Sequence, residues 1–300
     1  MKAFFVSACL LLLGSTAGFA QQGDKDKGDE AQVDPIPAEL IPPAPFLPLE
    51  EAMETFDLAE GFVIEPVAIE PWVENPIALA FDPNGRIWVV EMRSYMPDVD
   101  GNGEDTPNGR IRILEDTDRD GQIDKASDFL DDLILPRVVA FSHGGVIFNN
   151  GDALYFIQRD GLKPVGEPEL IDAEYAKGGN VEHKANGMLY GHDNWFYNAK
   201  SSKRYRRVNS QWQIESTEFR GQFGISKDNA GRLFYNSNST LLVGDTFTPN
   251  FLHKMRANQN GDNRVLPSRI NPGVNRAYRA ATLTKEGKLA NATAACGPVS

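Results

Sequence analysis

From residue 77 to residue 235 the apolar and polar positions repeat one short phrase: an apolar strand, a turn of Asn, Asp and Gly, then a second strand of β-branched and aromatic residues. It first reads Ile77-Ala78-Leu79-Ala80-Phe81, Asp82-Pro83-Asn84-Gly85, Arg86-Ile87-Trp88-Val89-Val90-Glu91. A second copy turns at Asn149-Asn150-Gly151-Asp152, a third at His192-Asp193-Asn194 and a fourth at Asp228-Asn229-Ala230-Gly231. Asn and Gly supply the positive φ of tight hairpins, and the flanking residues suit a pleated, half-buried surface. With Gly85, Gly151, Asn194 and Gly231 as markers the spacings are 66, 43 and 37 residues, and the first interval carries an insertion, residues 96–108. A four-stranded propeller blade takes about 40 to 50 residues, so the pattern predicts an all-β chain folded as a β-propeller. A β-sandwich would also hold such hairpins, but sandwiches do not usually repeat one phrase. Long amphipathic helical stretches are absent, and residues 49–56 offer a short helical turn at most.

The ends read differently. Residues 1–20 have the form of an export signal: Lys2, an apolar run from Phe4 to Leu13, and the small-x-small site Gly18-Phe19-Ala20 before Gln21. Val6-Ser7-Ala8-Cys9 superficially resembles a lipid-attachment box, but it precedes most of the apolar run. Residues 21–55 are charged and Gly-rich, then Pro-rich, and form a spacer that cannot bury enough apolar surface to offset its ordering entropy. Residues 56–300 then hold a partial propeller of about four or five blades, expected to be the front part of a longer protein. The expected location is periplasmic or extracellular.

Composition narrows the chemistry. Thirty Lys and Arg against 42 Asp and Glu leave a net charge of −12, the wrong sign for neutralising phosphates, so nucleic acid is excluded as a partner. Cys9 and Cys296 are the only cysteines, too few for a disulfide framework, a Cys-rich zinc site or a Cys-x-x-Cys-His haem attachment. Any haem must lie in a separate, downstream domain.

Three features carry candidate chemistry. Asp116-Thr117-Asp118-Arg119-Asp120-Gly121-Gln122-Ile123-Asp124 places acidic oxygens on alternate residues around a Gly, which suits calcium held by Asp116, Asp118, Asp120 and Asp124. Position twelve is Ser127 rather than Glu, so the loop is not an EF-hand, and the alternative is a solvated acidic turn without an ion. His183 precedes the third copy and would point into the channel as a base for a bound alcohol. Arg220 approaches the fourth copy in the same way, where its planar fork would suit a carboxylate or a quinone oxygen. If both lie at the approach to successive inner strands, they should face one another across the channel mouth. Lys203-Arg204-Tyr205-Arg206-Arg207 reads as a solvated basic stretch, Asn258-Gln259-Asn260-Gly261-Asp262 as a turn or a second cation loop, and Asn238 and Asn291 begin glycosylation sequons.

The runs Pro76 to Glu91, Asp116 to Gly121, Glu182-His183-Lys184-Ala185-Asn186-Gly187 and Asn275-Arg276-Ala277-Tyr278 together resemble the N-terminal propeller of the membrane-bound-dehydrogenase-like proteins of planctomycetes and verrucomicrobia. More distantly the chain is similar to the glucose/sorbosone dehydrogenases, six-bladed propellers that bind pyrroloquinoline quinone (PQQ) and calcium. That resemblance implies a sugar or polyol substrate, His183 as general base eight residues before Gly191, Arg220 holding PQQ four residues before Gly224, and electrons passed to a cytochrome-type acceptor with haem c. Two positions depart from the pattern: Ser201-Ser202 stands where Gly-Asp would orient the base, and Gly221-Gln222 where Asn-Pro would follow the Arg. The competing class is a non-catalytic, calcium-braced propeller that binds a polysaccharide or a protein. A lactone hydrolase would need Glu, Asn and Asp converging on the channel, a set not evident here.

Overall fold

A computed structural model describes residues 45–98, 101–237, 240–249, 264–266 and 296–297. The export signal, most of the spacer, residues 258–262, Asn238 and Asn291 lie outside the described residues. A six-residue helix, α1 (Leu49–Glu54), buries no side chain and matches the short helical turn expected there. Among the described residues no helix is long and apolar enough to cross a membrane.

The rest is all-β and forms four blades of a β-propeller. Blade 1 is β1 (Pro76–Phe81), β2 (Ile87–Glu91), β3 (Gly109–Glu115) and β4 (Lys125–Leu133). Blade 2 is β5 (Val139–Ser142), β6 (Gly145–Asn150), β7 (Ala153–Asp160) and β8 (Lys163–Asp172). Blade 3 is β9 (Asn186–Tyr190), β10 (Phe196–Ala199), β11 (Ser201–Val208) and β12 (Gln211–Arg220), and blade 4 is β13 (Ser226–Lys227), β14 (Leu233–Ser237), β15 (Thr240–Gly244) and β16 (Arg264–Leu266). Each is an antiparallel meander with its strands in sequence order. In a meander the turns between strands one and two and between three and four lie at one end. The turns between strands two and three, and the links to the next blade, lie at the other. The first is the hairpin end of the propeller and the second its link end.

Middle strands are apolar on both faces because a blade is packed on both sides. On β6, Val146 and Phe148 join the seam with blade 1, beside Trp88, Ile111 and Phe129, while Ile147 turns to the seam with blade 3, beside Phe196 and Tyr205. On β7, Leu154 and Phe156 face blade 3 and Ile157 faces blade 1. This alternation is the two-residue period of a strand, and burial on both faces explains the unbroken apolar runs. The outer strand β8 is exposed along most of its length. Trp195, Tyr197 and Leu233 fill the seam between blades 3 and 4.

The repeat is real, but its second copy is out of phase. The phrases at Asp82, Asp193 and Asp228 join strands one and two of blades 1, 3 and 4, whereas Asn149 to Asp152 joins strands two and three of blade 2. The equivalent turn of blade 2 is His143-Gly144, with φ of 44° and 78°. Its markers are therefore Gly85, Gly144, Asn194 and Gly231, spaced by 59, 50 and 37 residues. The longest interval contains the insertion, which lies between β2 and β3.

The basic stretch of β11 is also not solvated. Arg204 and Arg206 lie over the Trp195 ring at 4.1 and 4.3 Å, and Arg207 lies over Phe156 at 4.3 Å. Carboxylates close the outer sides: Arg204 meets Glu215 at 2.6 Å, Arg207 meets Glu169 at 2.9 Å and Lys203 meets Asp172 at 2.6 Å. Guanidinium planes stack on aromatic faces, so this strand places its charges at the edges of two seams.

Candidate functional site

At the link end a cleft of about 480 Å³ opens where blades 1, 2 and 3 meet. Its walls are the β2–β3 insertion (residues 101–105), the link from β4 to β5 (Ile134, Leu135 and Arg137), the β6–β7 turn (Gly151 and Asp152), and Val181 and Lys184 from the link to β9. These segments are held by side chains near the ends of second strands. Asn149, fully buried, accepts from the Arg137 backbone N–H at 2.7 Å and donates to the carbonyls of Leu135 and Gly151 at 3.2 and 3.1 Å. Glu91 accepts from the Glu74 N–H at 2.9 Å and pairs with Arg110. Asn198 accepts from the Tyr175 hydroxyl at 2.8 Å. In each case a polar group at the link end fastens the incoming segment.

Within the cleft, Lys184 donates to Asp152 at 2.6 Å. Glu104, buried, accepts from the Met96 N–H at 3.1 Å, which ties the insertion back on itself beside the cleft. Arg137 is buried beneath; its guanidinium donates to the Val181 carbonyl at 2.7 Å and to the Leu135 carbonyl at 3.3 and 3.4 Å. Burial pulls its pKa down to about 10, so it stays charged at neutral pH. Charged and neutral polar groups of both signs thus line one concave surface. Sequence reasoning missed Arg137, Lys184, Asp152 and Glu104, which come from segments far apart in the chain. The turn residues at 101–105 and 149–152 were the available signal.

His183 ends a 3-10 helix, Val181–His183, in the link from β8 to β9. Its neighbours Val181 and Lys184 line the cleft, whereas His183 itself is not among the lining residues. The imidazole Nε2 lies 3.5 Å from Glu182, whose other oxygen accepts from the hydroxyl of Tyr95, just before the insertion, at 3.2 Å. A carboxylate therefore does flank His183, although Ser201 and Ser202 do not supply it. The Ser201 hydroxyl instead accepts from the Lys203 N–H at 3.1 Å.

Arg220 ends β12, but its side chain turns into the seam between blades 3 and 4. It meets Asp245, immediately after β15, with Nε at 3.0 and 3.2 Å from the two carboxylate oxygens and Nη2 at 2.8 Å, the last off the line of a hydrogen bond. Nη1 donates to Thr217 Oγ1 at 3.0 Å and to the Glu218 carbonyl at 2.9 Å, and the group lies 5.7 Å from the Tyr197 ring centroid. Both partners are buried. Burial pushes the Asp245 carboxyl up, against the pull of Arg220 and Tyr235. His183 and Arg220 are thus not joined: one ends the 3-10 helix in the link before β9, and the other's guanidinium is buried against Asp245 in a seam.

The Asp116 to Asp124 loop joins β3 to β4 at the hairpin end, away from the cleft. One carboxylate oxygen from each of Asp116, Asp118 and Asp120 lies within 4.8 Å of the others, a spacing that a hard cation could bridge. Asp116 also accepts from the N–H groups of Arg119 and Gly121 at 2.6 and 2.9 Å. Asp124 turns instead to Thr117, accepting from its hydroxyl at 2.6 Å and from its N–H.

PQQ is an anionic quinone, so its fit rests on free cationic donors. Arg220 does not fit that role, because Asp245 occupies its fork and the seam excludes a ligand.

Fold and cleft together define a β-propeller with a cleft at its link end. The chain belongs to the family described as a domain of unknown function, DUF7133, which matches residues 48–300. No curated protein matches it. Among solved structures it is similar to the holo PQQ domain of pyranose dehydrogenase from Coprinopsis cinerea, at 13% identity and a TM-score of 0.42, covering 61% of this chain and 48% of that one. The PQQ-bound aldose sugar dehydrogenase of Streptomyces coelicolor is 14% identical with a TM-score of 0.34, over 59% and 61% of the two chains. The calcium-binding protein regucalcin from Agrobacterium tumefaciens is 16% identical with a TM-score of 0.34, over 61% and 58%. The match spans between about half and three fifths of the length of these structures.

Proposed function

We propose that this chain is the binding face of an exported propeller that holds a sugar or other polyol in the link-end cleft. The observation that carries the reading is the cleft itself: a concave surface bearing Arg137, Lys184, Asp152 and Glu104 offers both donors and acceptors, as a hydroxyl-rich ligand requires. Calcium at Asp116, Asp118 and Asp120 acts as a brace. Calorimetric titration with glucose and mannitol tests the reading, with binding expected and Asp152→Ala expected to weaken it about tenfold. Absence of binding to any polyol overturns it.

A second reading, oxidation of the bound alcohol, is favoured by the His183–Glu182 pair, next in the chain to the cleft residues Val181 and Lys184. There His183 would take the hydroxyl proton, Glu182 would hold the resulting imidazolium, and a quinone would supply the two-electron acceptor for the hydride leaving the carbon. Arg220 contributes nothing to this step, and a quinone or a cytochrome-type acceptor would be held by other parts of the protein. Dye reduction by the full-length protein with quinone, calcium and a sugar is the test. His183→Ala should abolish turnover while leaving sugar affinity unchanged, and turnover unaffected by that substitution would leave binding as the sole activity.

A further inference from the structure

We infer that the cleft is an acid-recognising site, in which Arg137 receives the carboxylate of a hydroxylated acid of the uronate or aldonate class. The inference rests on the cleft being a polyol site and adds the charge of the ligand. Its starting point is an exception among the buried arginines. Arg110 has Glu91, and Arg220 has Asp245 at 2.8 Å. Arg137 is 2% exposed and, among the described residues, makes no ion pair; its donors reach only the carbonyls of Leu135 and Val181.

A buried cation costs several kcal/mol of lost hydration unless an anion compensates it. Three of the five guanidinium protons are committed, which leaves one on each terminal nitrogen to donate to an acceptor. Arg137 also lines the cleft, where a ligand can reach it. Lys184 cannot take its place, since Asp152 already neutralises it at 2.6 Å.

The surroundings select the kind of anion. Asp152 and Glu104 are close enough to act on the Arg137 charge, and Asp105 lines the same cleft. With Asp152 neutralised by Lys184, Glu104 and Asp105 oppose a phosphate dianion more strongly than a singly charged carboxylate, and their oxygens can accept from the hydroxyls that a sugar acid presents. One negative charge on a polyhydroxylated frame satisfies both demands.

The test titrates the full chain with glucuronate, galacturonate, gluconate, glucose and PQQ, which separates a sugar acid from a quinone as the source of the carboxylate. Uronate or gluconate should bind at least about tenfold more tightly than glucose. Arg137→Met should remove that preference, lowering uronate and gluconate affinity at least about tenfold more than it lowers glucose affinity. Because Arg137 also ties Val181 to Leu135, a second variant guards against misfolding: Glu104→Gln keeps the acceptor for Met96 and should tighten acid binding several-fold. Equal binding of glucose and glucuronate, with neither variant changing the ratio, overturns the inference but leaves the polyol reading intact. PQQ binding alone transfers the carboxylate to the quinone and overturns the sugar-acid assignment. No binding by any probe overturns both.

Discussion

Asp82 and Asp228 make the same turn bond for bond, which is the residue-level content of the repeated phrase. Asp82 Oδ1 accepts from the N–H groups of Asn84 and Arg86 at 2.8 and 3.1 Å, and its other oxygen takes Arg86 Nε at 2.8 Å. Asp228 accepts from Ala230 and Arg232 at 3.0 and 2.9 Å and from Arg232 Nε at 2.7 Å. Asp82 adds the Trp88 indole at 3.3 Å and is the more buried of the two. Burial works to raise its pKa, and the bonds from Arg86, Asn84 and Trp88 overcome it, so the carboxyl titrates below its ordinary value. The depressed pKa means that its contribution is full above the unfolded value of about 4 and is lost as pH falls through the lower folded value. Asp82→Ala should therefore destabilise by about 1–3 kcal/mol at pH 7, more than Asp228→Ala, and by less at pH 2.5. Urea melts of both variants at the two pH values check this, and equal losses at both would show that the charge does not matter.

At the scale of strands, the hairpin phrase made the propeller visible because Asp, Asn and Gly in its turns have local jobs. The same logic misphased blade 2. Its first turn is His143-Gly144, where His occupies a positive-φ position that usually selects Asn or Gly, whereas the turn at Asn149 to Asp152 has the expected composition in a different place. Arg220 was located correctly in sequence but not in space, because its partner Asp245 lies 25 residues away across a seam that local pattern does not encode. Asn149 is hidden for the same reason: it reads as a turn residue and works as a clamp on the preceding link. Asn149→Ala leaves the Arg137 N–H and two carbonyls without their partner and should cost about 2–3 kcal/mol. Asn149→Asp restores the acceptor but turns an oxygen toward the Leu135 and Gly151 carbonyls, so it should be no better than alanine. Denaturant unfolding of the two variants decides, and a stable Asp variant would refute the clamp.

For the whole molecule, the two ends of the meander divide the labour. Links and the insertion build the cleft at one end, while the hairpin end carries the Asp82 turn and the acidic loop, joined through the contact of Arg86 with Glu115 at 3.7 Å. The seam of blades 1 and 2 between them is aromatic, with Trp88 against Phe129 and Phe141 at 4.7 and 5.1 Å. An ion at Asp116, Asp118 and Asp120 would therefore stabilise blade 1 without touching a ligand in the cleft. Calcium that binds the folded chain alone adds RT ln(1 + [Ca]/Kd), about 2.7 kcal/mol at a hundredfold excess over Kd. Thermal melts should rise with calcium and fall on chelation, and Asp118→Ala should remove the dependence while sugar affinity measured on the folded protein stays unchanged. Asp124→Ala should matter less, because that carboxylate serves Thr117. Two results would overturn this division: a melting temperature indifferent to chelation, which makes the loop an acidic turn, or a cleft affinity that follows calcium, which couples the two ends through the blade.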